Sequence, residues 1–299
     1  MGMNFEFAAP TRIIFGWGSL AKVPGIIREK GNRILLVTGG SDHLYERLAT
    51  QLAGDGIQVQ RFRVDSEPSI SMITRGVEVA RAMECDVVVG LGGGSVLDAA
   101  KAIAALVPNR GDIARYLEVI GQGRELESDP LPFIAIPTTA GTGSEVTRNA
   151  VIHSPEHRVK VSLRSPLMLP DVAVVDPELT VSVPPDFTAA TGMDALTHLL
   201  ETFVSNQSNP FIDVFCREGM RRIAGSLVTA FHDGGNREAR ENLSMAALLG
   251  GMALASVKLG AVHGFAAPLG GMFPVPHGVV CAALLPSVME VNIRELRNR

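Results

Sequence analysis

Two histidines in the last quarter of the chain stand out because no other ionisable residue surrounds them. His263 and His277 lie 14 residues apart in an apolar segment that is rich in glycine and proline. An isolated histidine in such a setting is most often a neutral core residue. The alternative is that both imidazoles bind a ligand together with side chains from another part of the chain.

Asp194 and His198 are the candidate partners for these histidines. They lie four residues apart in the helical pattern TGMDALTHLLETF, which puts a carboxylate and an imidazole on one helix face. This pair alone could equally be a contact on an exposed helix surface. Together with His263 and His277, it forms a set that suits a divalent transition metal such as Fe(II), Zn, Co or Ni, with a position left for substrate.

A glycine turn in the first half of the chain indicates a second kind of chemistry. Gly93, Gly94 and Ser95 stand between the β-branched run DVVVG and a helical pattern. Glycine lets the backbone approach an anion, and a helix N-terminus offers N–H groups to it, so the turn favours a phosphate site. The alternative is a tight turn with Ser95 as the helix cap. The spacing matches neither GxGxxG nor the P-loop pattern.

A second loop of similar character, PTTAGTGSEVTRN, follows the apolar run FIAIP. It is dense in hydroxyls and glycines, and open parallel sheets bind ligands at the carboxyl ends of their strands. The loop could instead only cap the next element. Two such loops after two strands of one sheet favour a dinucleotide.

The elements that must position these residues show two different sequence patterns, one in each part of the chain. In the first part, β-branched runs alternate with helical patterns, which predicts an α/β domain with a Rossmann-like parallel sheet covered by helices. The predicted strands are 33–38, 58–64, 86–90 and 133–137, the helices 43–53, 71–84 and 96–107, and an added hairpin 146–153 with 159–163. After a Pro- and Thr-rich stretch, the rest predicts an all-α domain with helices at 193–204, 210–231, 237–257 and 278–290. We place the boundary after residue 182.

Composition excludes several other classes of protein. The 299 residues are 46% hydrophobic with a net charge of −4 and show no basic stripe, which argues against nucleic-acid binding. Three cysteines without CxxC spacing indicate free thiols in a reducing compartment. No signal peptide or membrane-spanning run is evident, so we expect a cytoplasmic protein without a membrane partner.

Five segments carry a resemblance to a known family: RIIFGWGSL, GLGGGSVLDAAKA, IPTTAGTGSEVT, GMDALTHLLE and VHGFAAPLGGMFPVPHGVVCAALLPSVMEVN. Through them the chain resembles the iron-containing (group III) alcohol dehydrogenases from end to end. The resemblance implies a dehydroquinate synthase-like architecture, with 1–182 binding NAD(P) and 183–299 binding metal. It also implies NAD(P)-linked interconversion of small primary or secondary alcohols with aldehydes or ketones, in a homodimer or higher homo-oligomer.

The same resemblance assigns roles to individual residues. Asp194, His198, His263 and His277 would bind Fe(II) or another divalent metal such as Zn or Ni. The implied nucleotide contacts are Gly93, Gly94, Ser95, Asp98, Thr138, Thr139, Thr142, Asn149 and Lys160. NAD-preferring relatives carry an acidic residue after the second strand, where this chain has Gly39, Gly40 and Ser41. With no carboxylate there to repel a 2′-phosphate, we expect NADP to be accepted.

The chain departs from the family pattern at two points. Ala267 stands where many relatives carry a histidine that helps to relay the proton. We therefore expect the proton to pass through water and cofactor hydroxyls, or activity to be lower. Relatives continue for several more helices after MEVNIRELRNR, so the second domain is expected to be truncated. Exposed apolar helix faces should then reduce stability or form an oligomer interface.

Three other functions stay open at this level. A maleylacetate-reductase-like enzyme is one, although such relatives generally lack the metal ligands. A metal-dependent lyase or cyclase related to dehydroquinate synthase is another, and a catalytically weak NAD(P)- and metal-binding relative is the third. The alcohol itself is not specified by the sequence, in which Phe265 and Phe273 are candidate walls of the substrate pocket.

Overall fold

The structure is a computed structural model that describes residues 4–273 and 275–297 of the chain. It divides into two compact units, which we describe separately. The sheet unit comprises Pro10–Thr138 and Ser144–Leu179, and the helical unit comprises Met1–Ala9, Thr139–Gly143 and Thr180–Arg299.

The sheet unit contains eight strands among its described residues. They are β1 Arg12–Phe15, β2 Arg33–Thr38, β3 Gln58–Arg63, β4 Val87–Gly92, β5 Phe133–Pro137, β6 Asn149–Ser154, β7 Val159–Arg164 and β8 Val172–Val175. Six of them form one parallel sheet in the order β1-β8-β5-β4-β2-β3, while β6 and β7 form a separate antiparallel hairpin. This arrangement confirms the predicted parallel α/β architecture and places β2, β4 and β5 side by side at its centre.

Helices complete the sheet unit and bury its strands. They are α1 Val23–Arg28, α2 Asp42–Ala53, α3 Ile70–Ala82 and α4 Gly94–Leu106. Every residue of β4 is buried, and α4 is buried along almost its whole length, which explains their near-continuous apolar and alanine-rich sequences. The short elements β1, α1 and β8 were not predicted, because runs of four to six residues carry too little periodicity.

The described part of the helical unit is built from α-helices, as predicted. They are α5 Pro185–Phe203, α6 Pro210–His232, α7 Arg237–Ser256, α8 Ala261–Met272 and α9 His277–Arg297. Asn209 and Asn236 cap α6 and α7, since their side-chain oxygens accept hydrogen bonds from the first turn of each helix. Among the described residues no single helix is both long and apolar enough to cross a membrane, whereas α7 and α8 together meet that criterion with a bend of 95° between them.

The helices of the second half differ from the prediction at three places, two of them because of proline. The third is α9, predicted for 278–290, which extends over His277–Arg297. Helix α5 begins at Pro185 and not at Met193, since proline needs no hydrogen-bond acceptor in the first turn and therefore starts a helix as readily as it marks a loop. Helix α8 was not predicted at all, although it carries His263. It contains Pro268 in its interior, a residue that usually ends a helix.

Candidate metal and nucleotide sites

The structure brings together the four side chains predicted as metal ligands. Asp194 and His198 lie one turn apart on α5, His263 lies in the first turn of α8, and His277 is the first residue of α9. Asp194 Oδ1 lies 3.7 Å from His198 Nε2, 3.5 Å from His263 Nε2 and 3.6 Å from His277 Nε2. The rings of His198 and His263 are stacked with their centroids 4.6 Å apart. Three imidazole nitrogens therefore converge on one carboxylate oxygen.

The geometry and chemistry of this cluster fit a divalent metal ion. Asp194 is 3% exposed, and its Oδ1 has no hydrogen-bond partner among the described residues. An unpaired buried carboxylate oxygen is costly, so its presence points to a cation as its partner. Ligands about 2.1 Å from a tetrahedral ion lie about 3.4 Å from one another, close to the three distances to Oδ1. The donors, one carboxylate and three imidazoles, are those that iron and zinc accept.

Electrostatics within the cluster keep the Asp194 carboxylate ionised and the His198 ring neutral. Burial alone would raise the pKa of Asp194, but His198, His263 and His277 together lower it below its usual range. Burial lowers the pKa of His198 to about 4 in spite of the nearby carboxylate. That imidazole is therefore neutral near pH 7 and able to donate a lone pair.

Glu201, which was not predicted as a site residue, holds His263 from the other side of its ring. Its Oε2 lies 2.7 Å from His263 Nδ1, and its Oε1 accepts a hydrogen bond of 2.6 Å from the backbone N–H of Val262. A carboxylate behind a histidine fixes the ring so that Nε2 faces the metal. The signal was present in the sequence, because Glu201 follows Asp194 by seven residues and therefore shares its helix face.

Cys281 is a second residue near the cluster that was not predicted. Its Sγ lies 3.6 Å from His277 Nε2 and 3.9 Å from His263 Nε2. It follows His277 by four residues on α9, the same spacing that relates Asp194 to His198. The sequence-based prediction considered only CxxC pairs of cysteines, so the four-residue spacing between His277 and Cys281 was missed.

The glycine turn lies where a parallel sheet binds its ligands. Gly93 caps α4, and Gly94 and Ser95 form the first turn of that helix directly after β4. An added Cβ on Gly92 would lie 2.5 Å from Val96 Cγ2, so the chain must turn tightly between strand and helix. Thr138, at the end of the neighbouring strand β5, donates its backbone N–H to Gly92 O over 3.0 Å. Two predicted contact segments of the sheet unit are thus adjacent.

Asp98 lies one turn further along α4 and is hydrogen-bonded within the protein. It accepts from Ser144 Oγ at 2.6 Å and from the backbone N–H of Val151 at 3.0 Å. Burial raises its pKa against the pull of Lys101. Through these two hydrogen bonds, Asp98 links α4 to the second loop and to the β6–β7 hairpin.

Lys101, which was not predicted, is fully buried beneath the same loop. Its Nζ donates to Ser144 O at 2.8 Å, Ser144 Oγ at 3.2 Å, Thr147 Oγ1 at 3.0 Å and Asn149 O at 2.8 Å. Burial lowers the pKa of Lys101 to about 8, and burial raises that of neighbouring Glu145 to about 7. The predicted contact Asn149 is held through its carbonyl group, which leaves its amide side chain outside this network.

The other predicted nucleotide contacts have different surroundings. Lys160, on β7, pairs with Glu67 over 2.5 Å. Thr139 and Thr142 lie in the stretch Thr139–Gly143, which belongs to the helical unit. In that stretch Gly143 has a φ of 63°, and an added Cβ would lie 2.4 Å from the Cα of Gly251 on α7. Only glycine fits at this position of the loop.

Gly39, Gly40 and Ser41 connect β2 to α2 at the same edge of the sheet. Although these three positions lack a carboxylate, Asp42 follows at once and is paired with Arg61 at 2.6 Å and Arg63 at 3.6 Å. The prediction of NADP acceptance from the sequence did not take this carboxylate into account. Arg63 is also paired with Asp65 at 2.6 Å, so two guanidinium groups and two carboxylates balance one another at this edge.

Three residues with predicted relevance to proton transfer or to the substrate pocket are exposed in the structure. Ala267 lies on the outer face of α8, one turn after His263. Phe265 and Phe273 are 59% and 52% exposed, so the described residues do not enclose them in a pocket. Their assignment as pocket walls stays a prediction.

Comparison with known proteins finds matches over nearly the whole chain. The family model of iron-containing alcohol dehydrogenase matches residues 10–177, and that of the C-terminal part of the Fe-containing alcohol dehydrogenase family matches residues 188–299. The chain is 39% identical over 293 residues to alcohol dehydrogenase 4 of Saccharomyces cerevisiae (strain YJM789). The aligned region covers 96% of this chain and 76% of the yeast protein.

Solved structures agree with these sequence matches. A crystal structure of 1,3-propanediol oxidoreductase superposes with a TM-score of 0.92 at 37% identity, covering 97% of this chain and 76% of that one. Sulfoacetaldehyde reductase from Bifidobacterium kashiwanohense, solved in complex with NAD+, gives a TM-score of 0.89 at 32% identity and covers 97% and 77%.

Proposed function

This chain belongs to the iron-containing alcohol dehydrogenase family and catalyses NAD(P)-linked interconversion of alcohols with aldehydes or ketones, and we propose that Asp194, His198, His263 and His277 hold its divalent cation. The observation that carries this ligand assignment is the convergence of three Nε2 atoms within 3.7 Å of Asp194 Oδ1, which accepts no hydrogen bond from the described residues.

The protein residues prepare the site for the chemistry that the bound groups supply. A divalent cation held by these residues would supply a Lewis acid for the substrate oxygen, and bound NAD(P) would supply the hydride donor or acceptor. Asp194 supplies the negative charge that retains the cation, and Glu201 keeps the ring of His263 in its metal-facing orientation. Ala267 offers no proton acceptor, so we propose that no side chain at this position takes up the proton and that solvent would have to do so.

Nucleotide binding is proposed for the α/β domain of residues 1–182, and metal binding for residues 183–299. Gly93, Gly94 and Ser95 would bind the pyrophosphate with the backbone N–H groups of the first turn of α4. The remaining proposed contacts are Asp98, Thr138, Thr139, Thr142, Asn149 and Lys160. Support comes from the position of the glycine turn and Thr138 at the carboxyl ends of adjacent strands.

We further propose that the enzyme accepts NADP as well as NAD. Gly39, Gly40 and Ser41 leave room at the end of β2, and Arg61 and Arg63 offset the charge of Asp42 beside them. A 2′-phosphate at this edge would meet these two guanidinium groups as well as the carboxylates of Asp42 and Asp65. Steady-state rates with NADPH and NADH within tenfold of each other, on the order of 1.4 kcal/mol, are the expected result. A strong preference for NADH alone contradicts it.

The decisive experiment combines metal analysis with activity. The purified protein is stripped with a chelator, reloaded separately with Fe(II), Zn(II), Co(II) and Ni(II), and assayed for NAD(P)H oxidation with a panel of small aldehydes and ketones. We expect one ion per chain and activity only in the reloaded protein. Full activity in the stripped protein refutes the metal site, and it would favour the maleylacetate-reductase-like alternative.

The compartment and the assembly are further proposals. We propose a cytoplasmic homodimer or higher homo-oligomer, supported by three free cysteines and by exposed apolar side chains on α8 and α9 such as Phe265, Met272 and Val279. Light scattering of the purified chain tests the assembly. A monodisperse monomer with a cooperative thermal transition contradicts it.

A further inference from the structure

Cys281 lies among the proposed ligands, although it was not expected there. The thiol is fully buried on α9, one helical turn after His277. Its Sγ is 3.6 Å from His277 Nε2 and 3.9 Å from His263 Nε2. A nitrogen 2.1 Å and a sulfur 2.3 Å from one tetrahedral ion lie about 3.6 Å apart. The two measured distances are close to this value.

An independent observation shows that the same point is prepared for a cation. Asp194 is 97% buried, and its Oδ1 has no hydrogen-bond partner among the described residues. The donor atoms of Asp194, His263, His277 and Cys281 all lie within 4.8 Å of one another. The thiol is therefore part of a cluster that converges on an unpaired carboxylate, and it is not an isolated cysteine.

Two overlapping sets of four donors result. Asp194, His263 and His277 are common to both, and either His198 or Cys281 is the fourth member. The two alternatives differ in chemistry, because imidazole accepts iron and zinc alike whereas a thiolate is a soft donor. The choice of metal ion then depends on a residue that is absent from the predicted ligand set.

We propose that Cys281 coordinates the cation of this site through its thiolate and thereby shifts the preference of the site from iron towards zinc and cobalt. When the bond forms, the S–H bond breaks, the sulfur lone pair enters the metal coordination shell and the proton passes to the buffer. No electron is transferred. The inference rests on the proposed metal site and goes beyond it in naming a sulfur donor as the alternative to His198.

Cobalt provides a direct test of the sulfur bond. The full chain is stripped of metal and reloaded with Co(II), and its near-ultraviolet absorption is recorded for a sulfur-to-cobalt charge-transfer band. We expect the band in the unaltered protein and in Cys216→Ser, which changes another fully buried thiol on α6. We expect it to be absent from Cys281→Ser and Cys281→Ala, while the visible ligand-field bands persist in both.

Competition between metals tests the selectivity. Removal of the sulfur bond should lower the affinity for Zn(II) about tenfold or more. Because a thiolate is a softer donor than an imidazole, the affinity for Fe(II) should fall less, and the Zn(II)-over-Fe(II) affinity ratio should fall with it. Cys216→Ser should leave the ratio unchanged.

The outcomes separate this inference from the proposed function. Bound cobalt without the charge-transfer band, or a band that survives in Cys281→Ser, overturns the role of Cys281 and leaves the other four ligands standing. Failure of the unaltered chain to bind cobalt at all overturns both proposals. Circular dichroism of the two Cys281 variants distinguishes a lost ligand from a lost fold.

Discussion

Two buried polar clusters, one in each unit, are built in opposite ways. In the sheet unit, the ammonium group of Lys101 donates to four oxygen atoms, and every one of them lies within 3.2 Å. In the helical unit, Asp194 Oδ1 is as deeply buried but has no hydrogen-bond partner among the described residues. One cluster is complete as the chain folds, and the other is the one that we propose to be completed by a cation.

The contrast separates a structural role from a binding role. A buried polar group that is fully hydrogen-bonded adds rigidity, so the Lys101 cluster holds the second loop in a fixed shape. A buried group without a partner is retained only where something outside the chain satisfies it. Substitutions in the two clusters should therefore have different primary effects, on folding in the first and on metal content in the second.

The largest effect is expected at the carboxylate of the metal cluster. Asp194→Asn removes the charge that retains the cation, and kcat/KM should fall about a thousandfold or more, since a bound metal supplies several kcal/mol of transition-state stabilisation. Elemental analysis should find the variant nearly metal-free. Asp186→Asn, an exposed position in the first turn of the same helix, is the matched control. Normal metal content in Asp194→Asn would falsify the ligand assignment.

A change in the complete cluster should act on stability. Lys101→Met leaves the carbonyls of Ser144 and Asn149 and the carboxylate of Asp98 without their buried cation, so the free energy of unfolding should fall by about 3–5 kcal/mol. Denaturant titration measures it, with Lys22→Met at an exposed site as the control. A loss below about 1 kcal/mol would mean that the network contributes little to folding.

Glu201 offers a smaller test from behind the metal cluster. Glu201→Ala frees the ring of His263, and metal affinity should fall about ten- to a hundredfold. Chelator competition measures the change, and Glu238→Ala, exposed in the first turn of α7, should bind metal as the unaltered protein does. Equal affinity in Glu201→Ala would show that packing alone orients the imidazole.

The smallest effect concerns pH. Burial raises the pKa of Glu145 to about 7 from an ordinary value of 4.5, so the folded state binds this proton more tightly than the unfolded state. The stability that this proton provides is fully present below pH 4.5 and is lost as the pH rises through 7. Lys101, with a pKa of about 8, stays charged over most of this range.

Glu145→Gln should remove that part of the pH dependence. Its unfolding free energy should vary less between pH 4.5 and 7 than that of the unaltered protein, whereas Glu125→Gln at an exposed site should not alter the slope. Parallel curves for all three proteins would contradict the assignment. The contribution of Asp98 is common to all of them and cancels in the difference.

Spacing along helices accounts for most of what the sequence predicted correctly. Asp194 and His198 could be paired from their four-residue interval. The β-branched runs that alternate with helical patterns predicted the parallel sheet, and the later helical patterns predicted the helical unit. Long-range convergence was harder, since no local pattern brings His263 and His277 to α5. They were joined to the set first by residue type and then by the family resemblance.

What escaped prediction has physical causes. Glu201, Lys101 and Cys281 belong to residue types that are common on helix surfaces or in cores, and only the fold reveals that all three are buried beside a site. Helix α8 was concealed by Pro268, whose local preference is outweighed by packing of Val262 and Ala266 in the core of the helical unit. Asp42 was missed because the prediction of NADP acceptance considered only the three residues directly after β2.

The position of Glu201 also links the start of α8 to α5. Besides holding His263, it accepts hydrogen bonds from the backbone at the start of α8, and Gly260 makes this approach feasible because a Cβ there would lie 2.8 Å from Glu201 Oε1. A helix of 12 residues is marginal by itself. The carboxylate of Glu201 on α5 therefore caps the first turn of α8, and the position of His263 depends on a contact outside its own helix.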